Sequence, residues 1–140
     1  MIGPEVAAAE AEVAVEFIRA FNDRDLEAFA AVVGPEVEIH SMRGLRRGRE
    51  EARKWATRAP GGAQQTILID GLHGSRKPDG TIVLVASITR RWHWEEDGSA
   101  AGEEEMAWAF DLRDGLVQVW KPFELRHEAL AHAGLDQARG

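Results

Sequence analysis

Residues 81–95 read Thr81-Ile82-Val83-Leu84-Val85-Ala86-Ser87-Ile88-Thr89-Arg90-Arg91-Trp92-His93-Trp94-Glu95, with no glycine or proline among them. β-Branched and aromatic side chains dominate, and toward the end Trp92 and Trp94 share one face while Arg91 and His93 share the other. That is the signature of a strand with period two. Fifteen residues is far longer than the usual strand of roughly five or six, so this one must bend strongly to stay on a small domain.

Working outward, the turn Lys77-Pro78-Asp79-Gly80 links it back to a strand at 65–73, and Asp97-Gly98 leads on to a strand at 103–112. Arg113-Asp114-Gly115 then turns into a last strand, Leu116 to Phe123. Consecutive strands joined by short turns pair antiparallel. The pattern does not say which face of each strand points inward, because one β-bulge exchanges the two.

The first half of the chain has a different period. Val6, Val13, Phe17 and Phe21 fall at helical spacing, with Glu10, Glu12, Glu16 and Arg19 on the other side, ending near Asn22-Asp23-Arg24. Asp25 is a natural N-cap for a shorter helix carrying Leu26, Phe29, Ala30 and Val33, which Gly34-Pro35 is expected to stop. Glu36 to Ser41 alternates as a short strand, residues 43–48 read as a basic loop, and Gly48 opens a third helix through about Arg58 before the breaker Pro60-Gly61-Gly62. A closing helix is expected over about Leu125 to Ala133, ending at Gly134. Helices first and an antiparallel sheet after them define an α+β fold, expected as one domain over 1–140 with its core at about 5–134.

Composition narrows the function. A net charge of −7 argues against a dedicated nucleic-acid binder, and the cluster Arg43, Arg46, Arg47 and Arg49, followed at once by Glu50 and Glu51, reads as a solvated loop rather than a phosphate site. Zero cysteines exclude disulfides and thiolate chemistry and suit a reducing cytoplasm. No apolar run is long enough to span a membrane, and Met1 to Glu16 has acids where a signal peptide would be basic. His40, His73, His93, His127 and His132 show no i, i+4 pair and no carboxylate at ligand spacing, so neither metal nor cofactor is expected.

The element order and several stretches resemble the SnoaL-like branch of the nuclear transport factor two-like superfamily. The matching pieces are Phe17-Ile18-Arg19-Ala20-Phe21-Asn22-Asp23-Arg24-Asp25-Leu26-Glu27-Ala28-Phe29, Pro35-Glu36-Val37-Glu38-Ile39-His40, Gly48-Arg49-Glu50-Glu51-Ala52 and Asp114-Gly115-Leu116-Val117-Gln118-Val119-Trp120-Lys121-Pro122-Phe123. The resemblance implies a cystatin-like curved sheet, a cone or half-barrel, whose concave face and N-terminal helices enclose an apolar pocket. It also implies a homodimer through the outer sheet face. It does not imply one activity, since the fold hosts isomerases, cyclases, dehydratases, hydrolases and binders.

Within that resemblance, the end of the first strand in ketosteroid isomerases carries an aspartate base facing the pocket, and here the position holds His40, with Glu38 on the same face to orient it. The alternative is that both sit on the wet side of a strand whose dry side is Val37 and Ile39. There is no tyrosine in the chain to stabilise a dienolate, so Arg91, His93 or an indole N–H would have to polarise the substrate. The tail Trp120-Lys121-Pro122-Phe123-Glu124-Leu125-Arg126 has the rhythm of limonene-epoxide hydrolases. However, in Arg91-x-His93 the histidine replaces the acid of their Arg-x-Asp pair, and Pro122 stands at their second acid position, which breaks that set. Among five tryptophans, each is core, dimer interface or ligand wall. Trp55, Trp108 and Trp120 are the candidate walls for a flat apolar molecule, Trp55 because it interrupts a face of alanines. Glu103-Glu104-Glu105 reads as a solvated strand start or edge guard. The expected protein is thus an apolar-cyclic-ligand pocket: a cofactor-free acid–base enzyme using His40, Arg91 and His93, or else a non-catalytic binder or interaction module.

Overall fold

The protein, as a computed structural model, is described over residues 8–41, 44–56, 63–94, 97 and 99–132. Its elements run α1 (Ala8–Asp23), α2 (Leu26–Ala31), β1 (Val33–Ser41), β2 (Gly44–Arg47), α3 (Arg49–Ala56), β3 (Ala63–Arg76), β4 (Ile82–Trp94), β5 (Ala100–Arg113), β6 (Leu116–Phe123) and α4 (Arg126–His132). The six strands form one curved, unclosed sheet in the order β2-β1-β6-β5-β4-β3. All neighbours are antiparallel except β1 and β6, which run parallel. Bulges at Ile69/Gly71, Trp92/His93 and Asp111/Leu112 supply the bend that such long strands need. The fold class read from the sequence is the one observed. Expectations at Val6, Arg43, Arg58, Pro60-Gly61-Gly62, Glu95, Gly98, Ala133 and Gly134 lie outside the described residues.

Two local readings change. Gly34 and Pro35 do not follow a helix end but sit in β1, because α2 stops at Ala31 and the parallel partner takes over the backbone at once: the Val117 N–H donates to the Val32 carbonyl at 2.8 Å. Glycine suits position 34 because a Cβ there would fall 2.4 Å from Gln118 Oε1. The basic stretch after Ser41 is likewise not all loop. Gly44–Arg47 folds back on β1 as β2, pairing Glu38 with Arg47 and His40 with Leu45. Gly48, at φ +97°, then makes the corner into α3.

The sheet has two faces with two cores. Leu84, Ala86 and Ile88 of β4, Phe110 and Leu112 of β5, and Val37 and Ile39 of β1 face α1, α2 and α3, meeting Phe17, Phe21, Phe29 and Ala52. Phe17 and Phe110 pack edge to face at 5.1 Å, Phe17 and Phe29 at 4.9 Å. On the other face Val83, Val85, Ala107 and Ala109 receive Ala129 and Leu130 of α4, with Phe123 beside them. The alternation along β4 is therefore helix side, α4 side, helix side, as a two-sided strand requires.

Candidate functional site

Beyond Ile88 the helix-facing side of β4 continues to Arg90 and Trp92, and that of β5 runs back from Trp108 to Met106 and Glu104. Together with Trp55 of α3, Phe21 of α1 and Trp120 of β6 these residues surround a cavity of about 780 Å³. Its base is a contact set of rings. Trp55 and Trp120 lie 4.5 Å apart, Trp108 and Trp120 meet at 5.0 Å and 85°, and Phe21 packs on Trp55 at 5.2 Å. Trp108 is 1% exposed and Trp120 4%, and the indole N–H of each has no hydrogen-bond acceptor among the described residues.

The rim is polar. Arg90 Nη1 donates to Gln65 Oε1 at 3.4 Å, Nη2 pairs with Glu104, and the guanidinium lies 4.7 Å from the Trp92 ring centroid. Glu105 and Glu124 line the same cavity, as do Ser41 and Pro122. Asp25 caps α2 through the Ala28 N–H, and Arg24 adopts φ 56° to turn between α1 and α2 while its guanidinium reaches the Ala56 carbonyl. That contact ties the end of α1 to the end of α3, so Phe21 and Trp55 are presented together.

Trp55, Trp108 and Trp120 are brought together; the other candidates are not. His40 and Glu38 lie on the opposite face of β1 from Val37, Ile39 and the cavity-lining Ser41. His40 Nε2 meets Glu38 Oε1 at 3.3 Å, and Glu38 Oε2 accepts from Arg47 at 3.2 Å. Val37 and Ile39 claim the inward face through their helix contacts, so His40 and Glu38 stand on the other side of β1, the second of the two placements weighed for them. On β4, Arg90 and Trp92 take the cavity side, while Arg91 and His93 share the other face and Arg91 pairs with Glu103 at 2.7 Å, both exposed. The acids at 103–105 are correspondingly more than an edge guard, since Glu103 and Glu104 answer two arginines on β4 and Glu104 and Glu105 reach the cavity.

Phe21, Gln65, Arg90, Trp92 and Glu124 also line the cavity, and the sequence does not mark them as site residues. The available signal was Trp92, whose face also carries Arg90, but nothing in the period says that this face is concave. A second hollow, of about 650 Å³, opens beside Ser87, Asp70, His73 and Arg126; Arg126 Nη2 donates to His73 Nε2 at 2.7 Å, and Thr89 Oγ1 donates to Asp70.

A curved, mostly antiparallel sheet covered by N-terminal helices around an aromatic cavity is the architecture of the nuclear transport factor two-like proteins. The SnoaL-like domain model matches residues 14–120, and the chain belongs to the SnoaL-like domain family. No curated protein matches it in sequence. Among solved structures, Aln2 from a Streptomyces species is similar at 19% identity and a TM-score of 0.69, with 94% of this chain and 97% of that one covered. An LEH-like epoxide hydrolase from M. tuberculosis is similar at 13% identity and 0.63, covering 94% and 96%. A computationally designed 17-OHP binder is similar at 13% and 0.67, covering 84% and 93%.

Proposed function

We propose that this chain, acting as a single SnoaL-like domain, binds an apolar cyclic small molecule in the cavity walled by Trp55, Trp108 and Trp120. One observation carries the reading: about 780 Å³ of space is bounded by contacting aromatic rings on one side and a few placed polar groups on the other. That is the form ligand sites take, in which apolar walls supply affinity and a few polar groups fix orientation. Flat rings favour a flat ligand, because stacked or edge-on aromatic pairs gain about 0.5–1.5 kcal/mol beyond the area they bury. The fold also carries a designed protein described as a 17-OHP binder. Titration with the neutral fluorescent probe N-phenyl-1-naphthylamine tests this. Saturable one-to-one binding, weakened severalfold in Trp55→Ala with its circular dichroism retained, is the expected result; no saturable binding by the wild type refutes it.

Acid–base turnover is a second reading, favoured by the three carboxylates of Glu104, Glu105 and Glu124 on the cavity. A carboxylate positioned beside a bound carbonyl compound can take an α-proton, and Arg90 is the donor placed to polarise the oxygen. His40, Arg91 and His93 would then have no part in the proton transfer. Deuterium uptake at the α-carbons of 2-tetralone in D2O reads this directly: protein-accelerated exchange, lost when the three glutamates are changed to glutamine, supports it, and exchange at the buffer rate removes it. Homodimerisation through the part of the outer sheet face that α4 leaves open belongs to the same proposal, and light scattering of the full chain tests it.

A further inference from the structure

The buried side-chain polar atoms of the cavity wall that lack a partner are all of one kind. Among the described residues they are Arg90 Nε and the Nε1 atoms of Trp108 and Trp120. Each carries an N–H and has no lone pair to offer. The rest of the Arg90 guanidinium is engaged: Nη1 donates to Gln65, Nη2 pairs with Glu104, and its face lies on Trp92. Trp108 and Trp120 are 1% and 4% exposed, so bulk water does not serve their N–H groups either. Aromatic neighbours are poor substitutes. Trp108 meets Trp120 edge to face at 5.0 Å and 85°, and such a contact turns the edge of one ring to the face of the other. It can serve one N–H at most, and weakly. Buried donors are nearly always partnered, and one left unmet costs more than a made bond contributes. What these three groups lack is an acceptor.

We propose that the ligand of this cavity carries an acceptor oxygen, a ring carbonyl of ketone or quinone type, and seats it inward against Trp108 and Trp120 rather than at the polar rim. A slight turn of either indole brings its N–H to that oxygen, whose two lone pairs can serve both rings. Arg90 Nε is the matching donor at the rim for a second oxygen. The inference rests on the reading that the cavity binds a small molecule, and specifies the polar group that such a molecule carries and the way it faces. Apolar rings alone would accept any hydrocarbon of fitting shape. A ligand without the oxygen leaves the donors unpaired, and that penalty is where discrimination arises.

Three bicyclic probes separate the possibilities, each measured as a competitor of N-phenyl-1-naphthylamine on the full chain. They are indan-1-one, which has the acceptor; indane, which has neither acceptor nor donor; and indole, which has a donor instead. Indan-1-one is expected to bind about tenfold more tightly than indole, and at least as tightly as the more hydrophobic indane. Trp108→Phe and Trp120→Phe each keep a ring and remove an N–H, so in either the ratio of indan-1-one to indane affinity should fall severalfold. A readout on the wild type does not depend on those variants folding. In 15N-labelled protein the indole N–H groups of the five tryptophans are observed directly, and indan-1-one should move two of them downfield where indane does not. If indane binds more tightly than indan-1-one, if indole binds as tightly, or if no indole N–H responds to the ketone alone, while N-phenyl-1-naphthylamine binds, the acceptor assignment is wrong and the cavity reading stands. If N-phenyl-1-naphthylamine does not bind the wild type, both fall together.

Discussion

The side-chain amide of Asn22 completes the backbone of Ile67. Its Nδ2 donates to the Ile67 carbonyl at 2.9 Å and its Oδ1 accepts from the Ile67 N–H at 2.8 Å. β3 is an edge strand, so these two groups face away from β4, and Asn22 supplies the partner that a neighbouring strand would otherwise give. The pairing fixes the end of α1 against the sheet one residue from Phe21, a cavity wall. Asn22→Ala should cost about 2–3 kcal/mol by leaving a donor and an acceptor without partners in a half-buried place. Asn22→Asp should also destabilise, since a carboxylate cannot donate to the Ile67 carbonyl. Urea unfolding monitored by circular dichroism gives both values.

Two tryptophans of one cavity should respond differently to truncation. Trp108, 1% exposed and in contact with Phe17, Phe21, Trp55 and Trp120, is core as much as wall. Trp108→Ala should lose about 3–5 kcal/mol. Trp92 is half-exposed and its ring partner is Arg90, so Trp92→Ala should cost about 1 kcal/mol or less in stability. It should nevertheless weaken binding of the neutral probe. Equal stability losses would contradict the placement.

His40 offers a negative control. Its side chain pairs with Glu38 on the face of β1 opposite Ser41, so His40→Ala should leave probe affinity within about twofold of the wild type. A larger loss would return His40 to the site.

Stability should depend on the protonation of His132. Partial desolvation beside Phe123, whose ring lies 5.3 Å away, and secondarily the charge of Lys121 lower its imidazole from the ordinary value of 6.5. With the folded pKa below the unfolded one, the unfolded chain takes up the proton first as pH falls. The contribution of His132 is therefore fully present above pH 6.5 and is lost as pH drops through the lower, folded value. Unfolding midpoints at about pH 7.5 and pH 5 should differ more in the wild type than in His132→Gln; equal differences would show that α4 docking does not sense this proton.

Gly34 should be replaceable only with its neighbour. An added Cβ would displace the Gln118 amide, which donates to the Arg113 carbonyl at 3.0 Å. Gly34→Ala should cost about 1 kcal/mol, and most of that cost should disappear when it is combined with Gln118→Ala. Additive losses in the double variant, measured by chemical denaturation, would mean that position 34 is restricted by its own backbone instead.

Much of the architecture is legible in the chain because it is locally encoded. The α1 stripe of Phe17 and Phe21, the Asp25 cap and the turn at Lys77-Pro78-Asp79-Gly80 each depend on residues within a few positions. β2 and the start of β1 were not legible, since neither has a local signature: β2 consists of Gly44, Leu45, Arg46 and Arg47, and Gly34-Pro35 becomes strand only because β6 arrives from more than 80 residues away. The same limit applies to the site. Trp55, Trp108 and Trp120 could be singled out as large aromatics in unusual company, whereas Arg90 and Glu104 pair across two strands.

By itself, then, the sequence determined the periods: helical first, then two, over strands too long to remain flat. Those periods are short-range consequences of backbone geometry, and they sort the residues of 81–95 into two sets. Which set faces the cavity is a long-range matter, decided where α1 and α3 land and where bulges shift the register. Tertiary structure placed Arg90 and Trp92 inside and left Arg91 and His93 outside, because the period of a strand makes its two faces distinct without saying which of them the helices will cover.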